Sequence, residues 1–163
     1  MQEYEYIVSL RFWHPTIDPS AISTQLGRQP CRQIRVGDPR MTPKGRPLEG
    51  TYSQSYWWTD ISGDTFQPAT SIDAEHVIAS LLKELAPHAE FLLELRKTGG
   101  KGVIQLTSSS ARSYAIELPP DILHQCSKLG LGIAHEVDTG SDSSKVPRGW
   151  QRADAIDVDA WSK

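Results

Sequence analysis

Polar and apolar residues alternate through residues 4–13. Tyr6, Val8, Leu10 and Phe12 fall on one side, with Glu5, Ile7, Ser9 and Arg11 on the other. A period of two over this length predicts a strand with one buried face. Pro15 ends it. Asp18 then stands where a helix N-cap belongs, and Pro19 occupies the first helical position, where a missing N–H costs nothing. Ala21, Ile22 and Leu26 supply a short apolar stripe, Gly27 stops it, and a strand-like run over residues 34–36 follows. The same unit recurs near the other end: residues 114–118, Pro119-Pro120-Asp121-Ile122-Leu123, the stop Leu129-Gly130, and residues 131–137.

Between the two copies, Gly37-Asp38-Pro39 and Pro43-Lys44-Gly45-Arg46-Pro47 are turn and loop chemistry. Residues 51–60 alternate again. Tyr52, Gln54, Tyr56 and Trp58 share one face, so the adjacent Trp57 and Trp58 must point to opposite faces of any sheet. A helix start at Ser71-Ile72-Asp73-Ala74-Glu75 precedes Val77, Ile78, Leu81, Leu82 and Leu85, the footprint of a core-facing helix. Pro87 breaks or kinks it, residues 89–97 continue the pattern with Phe91, Leu92 and Leu95, and Gly99-Gly100 stops it. Residues 102–106 and 113–118 read as a hairpin across Ser108-Ser109-Ser110. The order β-α-β-β-α-β-β-α-β predicts an α+β domain with a mostly antiparallel sheet and helices on one face, a ferredoxin-like or similar pseudo-duplicated arrangement. We assign it to residues 1–138. Residues 139–163 read as a linker, Thr139-Gly140-Ser141-Asp142-Ser143-Ser144-Lys145, and an appendix in which Ile156-Asp157-Val158-Asp159-Ala160-Trp161 alternates apolar with acidic.

A length of 163 residues with 38% hydrophobic content suits a single core. No run approaches the roughly 18 apolar residues of a membrane span, and the start has neither a basic nor an apolar leader region, so the expectation is a cytoplasmic protein without membrane contact. Cys31 and Cys126 are far apart and lack zinc spacing, which points to reduced thiols. A net charge of −3 argues against general nucleic-acid affinity. The charge is unevenly spread. Residues 28–49 hold Arg28, Arg32, Arg35, Arg40, Lys44 and Arg46 against Asp38 and Glu49, a local +4 that leaves −7 on the rest.

Local catalytic motifs are missing from the sequence. No histidine among His14, His76, His88, His124 and His135 has a second at helical i+4 spacing. Asp73 and His76 are three apart, half a metal site at most, and His124 and Cys126 point to different helix faces. Gly99-Gly100-Lys101-Gly102 lacks phosphate-loop spacing and follows a helix where such a loop must precede one. Asp154, Asp157 and Asp159 lack the glycine and terminal glutamate of a calcium loop. No cofactor, metal or catalytic residue is assigned.

The early strand, Ile17-Asp18-Pro19 with Ile22 and Leu26-Gly27, Tyr56-Trp57-Trp58, Leu81-Leu82-Leu85, Pro120-Asp121-Ile122-Leu123 and Leu129-Gly130-Leu131 together resemble the bacterial family known as domain of unknown function 4279, over residues 4–138. The resemblance implies a small single-domain protein and carries no catalytic residues. Some members lie near polymorphic toxin systems, which implies an immunity or accessory role.

The expectation is therefore a non-catalytic protein-binding module, most concretely an immunity-type protein that occludes a bacterial toxin. Its contact elements are Arg32, Arg35, Arg40, Arg46, Tyr56, Trp57 and Trp58, because arginine's planar fork pairs with carboxylates and tryptophan anchors interfaces. One tryptophan of the pair must fill the core; the other is exposed unless the appendix covers it. Two alternatives remain open at this level: a small-molecule or nucleotide-binding enzyme with Arg32, Arg35 and His14 around a cleft, and a structural homodimer joined at a strand edge.

Overall fold

A computed structural model describes residues 4–139. The first alternating run forms β1, Glu5–His14, in which every residue from Tyr6 to Phe12 is buried. A strand buried on both sides belongs in the middle of a sheet. β1 is indeed flanked by β5 (Ser55–Asp60) and β7 (Lys101–Ser109), both antiparallel to it. β2 (Arg32–Ile34) extends the sheet beyond β5, and β8 (Leu131–Val137) extends it beyond β7. The order is β2-β5-β1-β7-β8, with the two-residue β6 (Gln67–Pro68) beside the start of β1. The β7–β8 pair is parallel and the other pairings are antiparallel, giving a mixed, mostly antiparallel α+β sheet.

The helices are α1 (Pro19–Leu26), α2 (Ala74–Leu85), α3 (Ala89–Lys97) and α4 (Pro120–Lys128). Their ends follow the local chemistry of the sequence. The Asp18 carboxylate accepts from Ser20 N at 3.0 Å, and that of Asp73 accepts from His76 N at 2.8 Å, each satisfying an N–H that the helix cannot. α1 and α4 run into Gly27 and Gly130 at φ 62° and 68°, the left-handed stop that glycine adopts without strain. Pro87 sits in a single 3-10 turn, Ala86–His88, which joins α2 to α3. All four helices contribute to one core against Val8, Leu10, Phe12, Trp57, Ile104 and Leu106 of the sheet.

Two expectations change. Residues 113–118 form no strand; their alternation arises because Tyr114, Ile116 and Leu118 pack against the rim of the core while the residues between them stay exposed. The strand that leads into α4 is β7, and since β7 and β8 are parallel neighbours they need the helical crossover that α4 supplies. The segment read as loop also holds two short strands, β3 (Pro39–Met41) and β4 (Pro47–Thr51), paired only with each other as a separate arm. Its tip closes through Thr42 N to Arg46 O and Gly45 N to Thr42 O.

The repeated unit thus has two geometries. In β7-α4-β8 the parallel strands touch. In β1-α1-β2 the two strands also run the same way, because each is antiparallel to β5, and β5 stands between them. The first copy is a split β-α-β, the element a ferredoxin-like arrangement uses; the second is a closed one. Among the described residues no helix is long and apolar enough to cross a membrane. The appendix, residues 140–163, lies outside the described residues.

Candidate functional site

Side chains alternate across a strand, so β1 presents Tyr6, Val8, Leu10 and Phe12 to the helices and Ile7, Ser9, Arg11 and Trp13 to the other face. The register extends that second face across the sheet. One row reads Arg32, Trp58, Arg11, Val103 and the next reads Ile34, Tyr56, Trp13, Lys101. The Arg11 guanidinium lies 5.9 Å from the Trp58 ring centroid, and the Lys101 ammonium lies at the same distance from Trp13. Trp13 and Tyr56 tilt together at 5.4 Å. Cations over aromatic faces are electrostatically favoured, which lets a charged group sit among rings. Toward the other end of the face, Ser9 Oγ donates to Asp60 at 2.9 Å and Gln105 Nε2 donates to Glu136 at 3.0 Å. The face is therefore graded, with Arg11, Arg32 and Lys101 at one end and Asp60 and Glu136 at the other. Arg11 is only 3% exposed. The indole N–H groups of Trp13 and Trp58 are buried and meet no acceptor among the described residues.

The structure separates the seven residues proposed as contacts. Arg32, Tyr56 and Trp58 share the graded face. Trp57 is fully buried on the helix side, where its indole N–H donates to Ser23 Oγ of α1 at 2.9 Å. Arg35 is tied to Asp18, whose carboxyl is held below its ordinary range by hydrogen bonds from Ser20 and then by Arg35. Arg40 and Arg46 belong to the β3–β4 arm. Arg28, at the edge of the basic stretch, pairs with Glu84 of α2. Sequence reasoning missed Arg11, Trp13, Gln105 and Glu136. For Arg11 and Trp13 the signal available was the second side of β1 itself, taken as solvent-facing although both are interface-type residues; Gln105 and Glu136 lie on β7 and β8 and carried no such signal.

The cleft imagined around Arg32, Arg35 and His14 does not form, because Arg32 and His14 stand on opposite faces of the sheet. Both ring nitrogens of His14 are engaged. Nδ1 accepts from Thr16 N at 3.0 Å and from Ile17 N at 2.9 Å, so the proton sits on Nε2 and is directed at Thr98 Oγ1, 2.9 Å away. Thr98 Oγ1 in turn donates to the Glu94 carbonyl. Burial holds the His14 pKa below its ordinary value. On acidification the unfolded chain takes up this proton before the folded one does. Stability is therefore expected to be full above about pH 6.5, to fall as pH drops from there toward the folded-state pKa, and to level off below it. The slope cannot exceed about 1.4 kcal/mol per pH unit for this one site. Urea titrations between pH 7.5 and 5 should show the fall, and His14→Asn, which keeps an acceptor for the two amides, should flatten it.

Two further clusters resolve structurally. Ser108 Oγ lies 2.6 Å from both His135 Nε2 and Tyr114 OH, but the serine is fully buried, so it ties β7 to β8 and to the following loop. Gly99 N donates to Arg96 O and Gly100 N to Leu95 O, the reverse-turn closure of α3, which uses the amides a phosphate would need. No group of three or more metal-ligating side chains gathers among the described residues.

The fold and this face define a class: a single α+β module whose sheet has one core-facing and one cation-aromatic face. Residues 3–140 match the family described as Domain of unknown function (DUF4279), and the chain belongs to that family. Comparison with curated proteins and with solved structures yields no match.

Proposed function

We propose that this protein is a non-catalytic protein-binding module, in its most concrete form an immunity-type protein that masks an acidic surface on a toxin. The observation that carries the reading is the β3–β4 arm. It is bonded to itself rather than to the main sheet, all five residues of β4 are exposed, and it offers Arg40, Lys44 and Arg46. Arg28 and Arg35, from the same basic stretch, are neutralised within the molecule by Glu84 and Asp18, whereas none of these three enters an ion pair among the described residues. Charges left unpaired on a projecting element steer and orient an oppositely charged partner.

The test is affinity capture from the native host with the wild-type protein and with the triple variant Arg40→Glu, Lys44→Glu, Arg46→Glu. The wild type is expected to recover the product of a neighbouring reading frame and the variant to lose it. Because the arm lies outside the core, the variant's stability should stay within about 0.5 kcal/mol of wild type. Undiminished recovery by the variant overturns the assignment of the arm. Recovery of the chain alone at twice its monomer mass favours the homodimer instead.

A further inference from the structure

The β3–β4 arm is fastened to the molecule at its root, residues 35–38, and the fastening leads back to a buried histidine. Gly37 N donates to Tyr52 O at 2.9 Å and Tyr52 N donates to Asp38 O at 3.0 Å, so the root and the arm move together. Val36 N donates to Ser55 Oγ at 3.0 Å, and that hydroxyl donates in turn to the Ile17 carbonyl at 2.6 Å. A serine has a single O–H to give, so the rotamer that meets Val36 is set by where Ile17 stands. Ile17 is itself placed by His14, whose Nδ1 accepts from Thr16 N and Ile17 N. We propose that His14 is a proton-operated catch on the arm: while Nδ1 accepts, the root is fastened and the arm points one way, and a proton on Nδ1 opens the fastening.

The relay is buried at both joints, with His14 5% and Ser55 2% exposed, so a bond broken there is not replaced by water at the surface. A protonated imidazole has two N–H donors and no acceptor, so Thr16 N and Ile17 N lose their partner together. The parallel tie from the root to α1, Arg35 to Asp18, is open to solvent on both sides and holds weakly, which leaves the serine as the main fastening. The charges on the elements around the ring are turned away from it. Asp18 faces Ser20 and Arg35, Glu94 and Lys97 of α3 face each other, and Arg96 lies beside Gly130. Lys101 lies over Trp13 on the other side of the sheet, and β5 presents the uncharged Ser55 opposite His14. Burial alone lowers the His14 pKa, so the catch opens on the acid side of about pH 6.5. Its use, letting a partner go on acidification, rests on the reading of the arm as the contact element; the catch itself does not.

The experiment follows the amide signals of the full, isotope-enriched chain between about pH 7.5 and 5. Val36 and Gly37 should shift with the same midpoint as the His14 ring proton. Below that midpoint the order parameters of Val36, Gly37 and Met41 should fall from about 0.85 to about 0.6 or less, while that of Leu106 in β7 keeps its value. His14→Asn, which keeps the acceptor and does not titrate, should hold the arm ordered at both ends of the range. Ser55→Ala cuts the relay and spares the partners of His14, so Thr16 and Ile17 should still titrate while the arm is loose throughout. The inference is overturned if Val36 and Gly37 do not follow His14, if the arm stays ordered in acid, or if the asparagine variant loosens as the wild type does. Loosening of Leu106 alongside the arm overturns it too, since the change would then be global. The wild type and the asparagine variant decide the matter even if Ser55→Ala does not fold. No partner is present in these measurements, so a failure of the catch is distinct from a failure of the affinity capture.

Discussion

Trp57→Ala is expected to destabilise the protein by about 3–5 kcal/mol, a large part of the roughly 5–15 kcal/mol that holds a domain of this kind folded. The side chain is fully buried, tilts against Phe12 at 5.7 Å between ring centroids, and donates its indole N–H to Ser23 of α1. Truncation removes the apolar area, leaves a cavity that the β1 and β5 backbones cannot close, and cuts a hydrogen bond between the sheet and its first helix. Trp57→Phe keeps most of the area and loses that bond, so its cost should be nearer 1–2 kcal/mol, about that of one hydrogen bond plus some volume. Urea unfolding of the three proteins, followed by circular dichroism, measures both differences. A cost below about 2 kcal/mol for the alanine variant would contradict the placement of Trp57 beneath the helices.

The second large effect belongs to a glycine that sequence rules do not single out. Gly99 has φ 97° and looks like the constrained position at the end of α3, whereas Gly100 has an ordinary backbone. A Cβ on Gly100, however, would stand 2.6 Å from the Leu95 carbonyl oxygen and 2.8 Å from His14 Cδ2. Neither neighbour can yield. The Leu95 oxygen is held by Gly100's own N–H at 2.7 Å, and the His14 ring is fixed by two backbone amides and Thr98. Gly100→Ala should therefore cost about 3 kcal/mol or somewhat more, at the upper end for overpacked sites. Gly99→Ala suffers the left-handed strain of about 1–2 kcal/mol and a 3.3 Å contact with Pro15. Thermal melts of the two variants decide the ranking, and a Gly99 variant melting below the Gly100 variant would refute it.

Much of the fold was legible because local chemistry and tertiary position agree. Asp18 and Asp73 cap helices, Gly27 and Gly130 stop them, and α3 covers the nine residues its apolar spacing predicts. The opposed directions of Trp57 and Trp58 follow from strand pleating alone. What escaped was non-local. The pattern at Tyr114, Ile116 and Leu118 reports contact with a core rim, and alternation cannot distinguish that from a hydrogen-bonded strand. The short β3 and β4 are punctuated by Pro39 and Pro47 and have almost no apolar content to announce them. The second sheet face was hidden for a deeper reason. Ser9, Arg11 and Gln105 are polar residues kept away from solvent, and polarity in a sequence ordinarily signals exposure.

The central position of β1, between β5 and β7, has a consequence during biosynthesis. β1 pairs with residues 55–60 on one side and 101–109 on the other, so its second partner is made about 90 residues after the strand itself. At typical translation rates of about 5–20 residues per second, that is an interval of roughly 5–20 s in which the most thoroughly buried strand of the finished protein has an open edge. The closed β7-α4-β8 unit faces no such wait, since its strands are joined by a single helix. Nascent chains are therefore expected to be most vulnerable to mispairing through their first strand, and to chaperones that bind extended apolar segments, until β7 emerges.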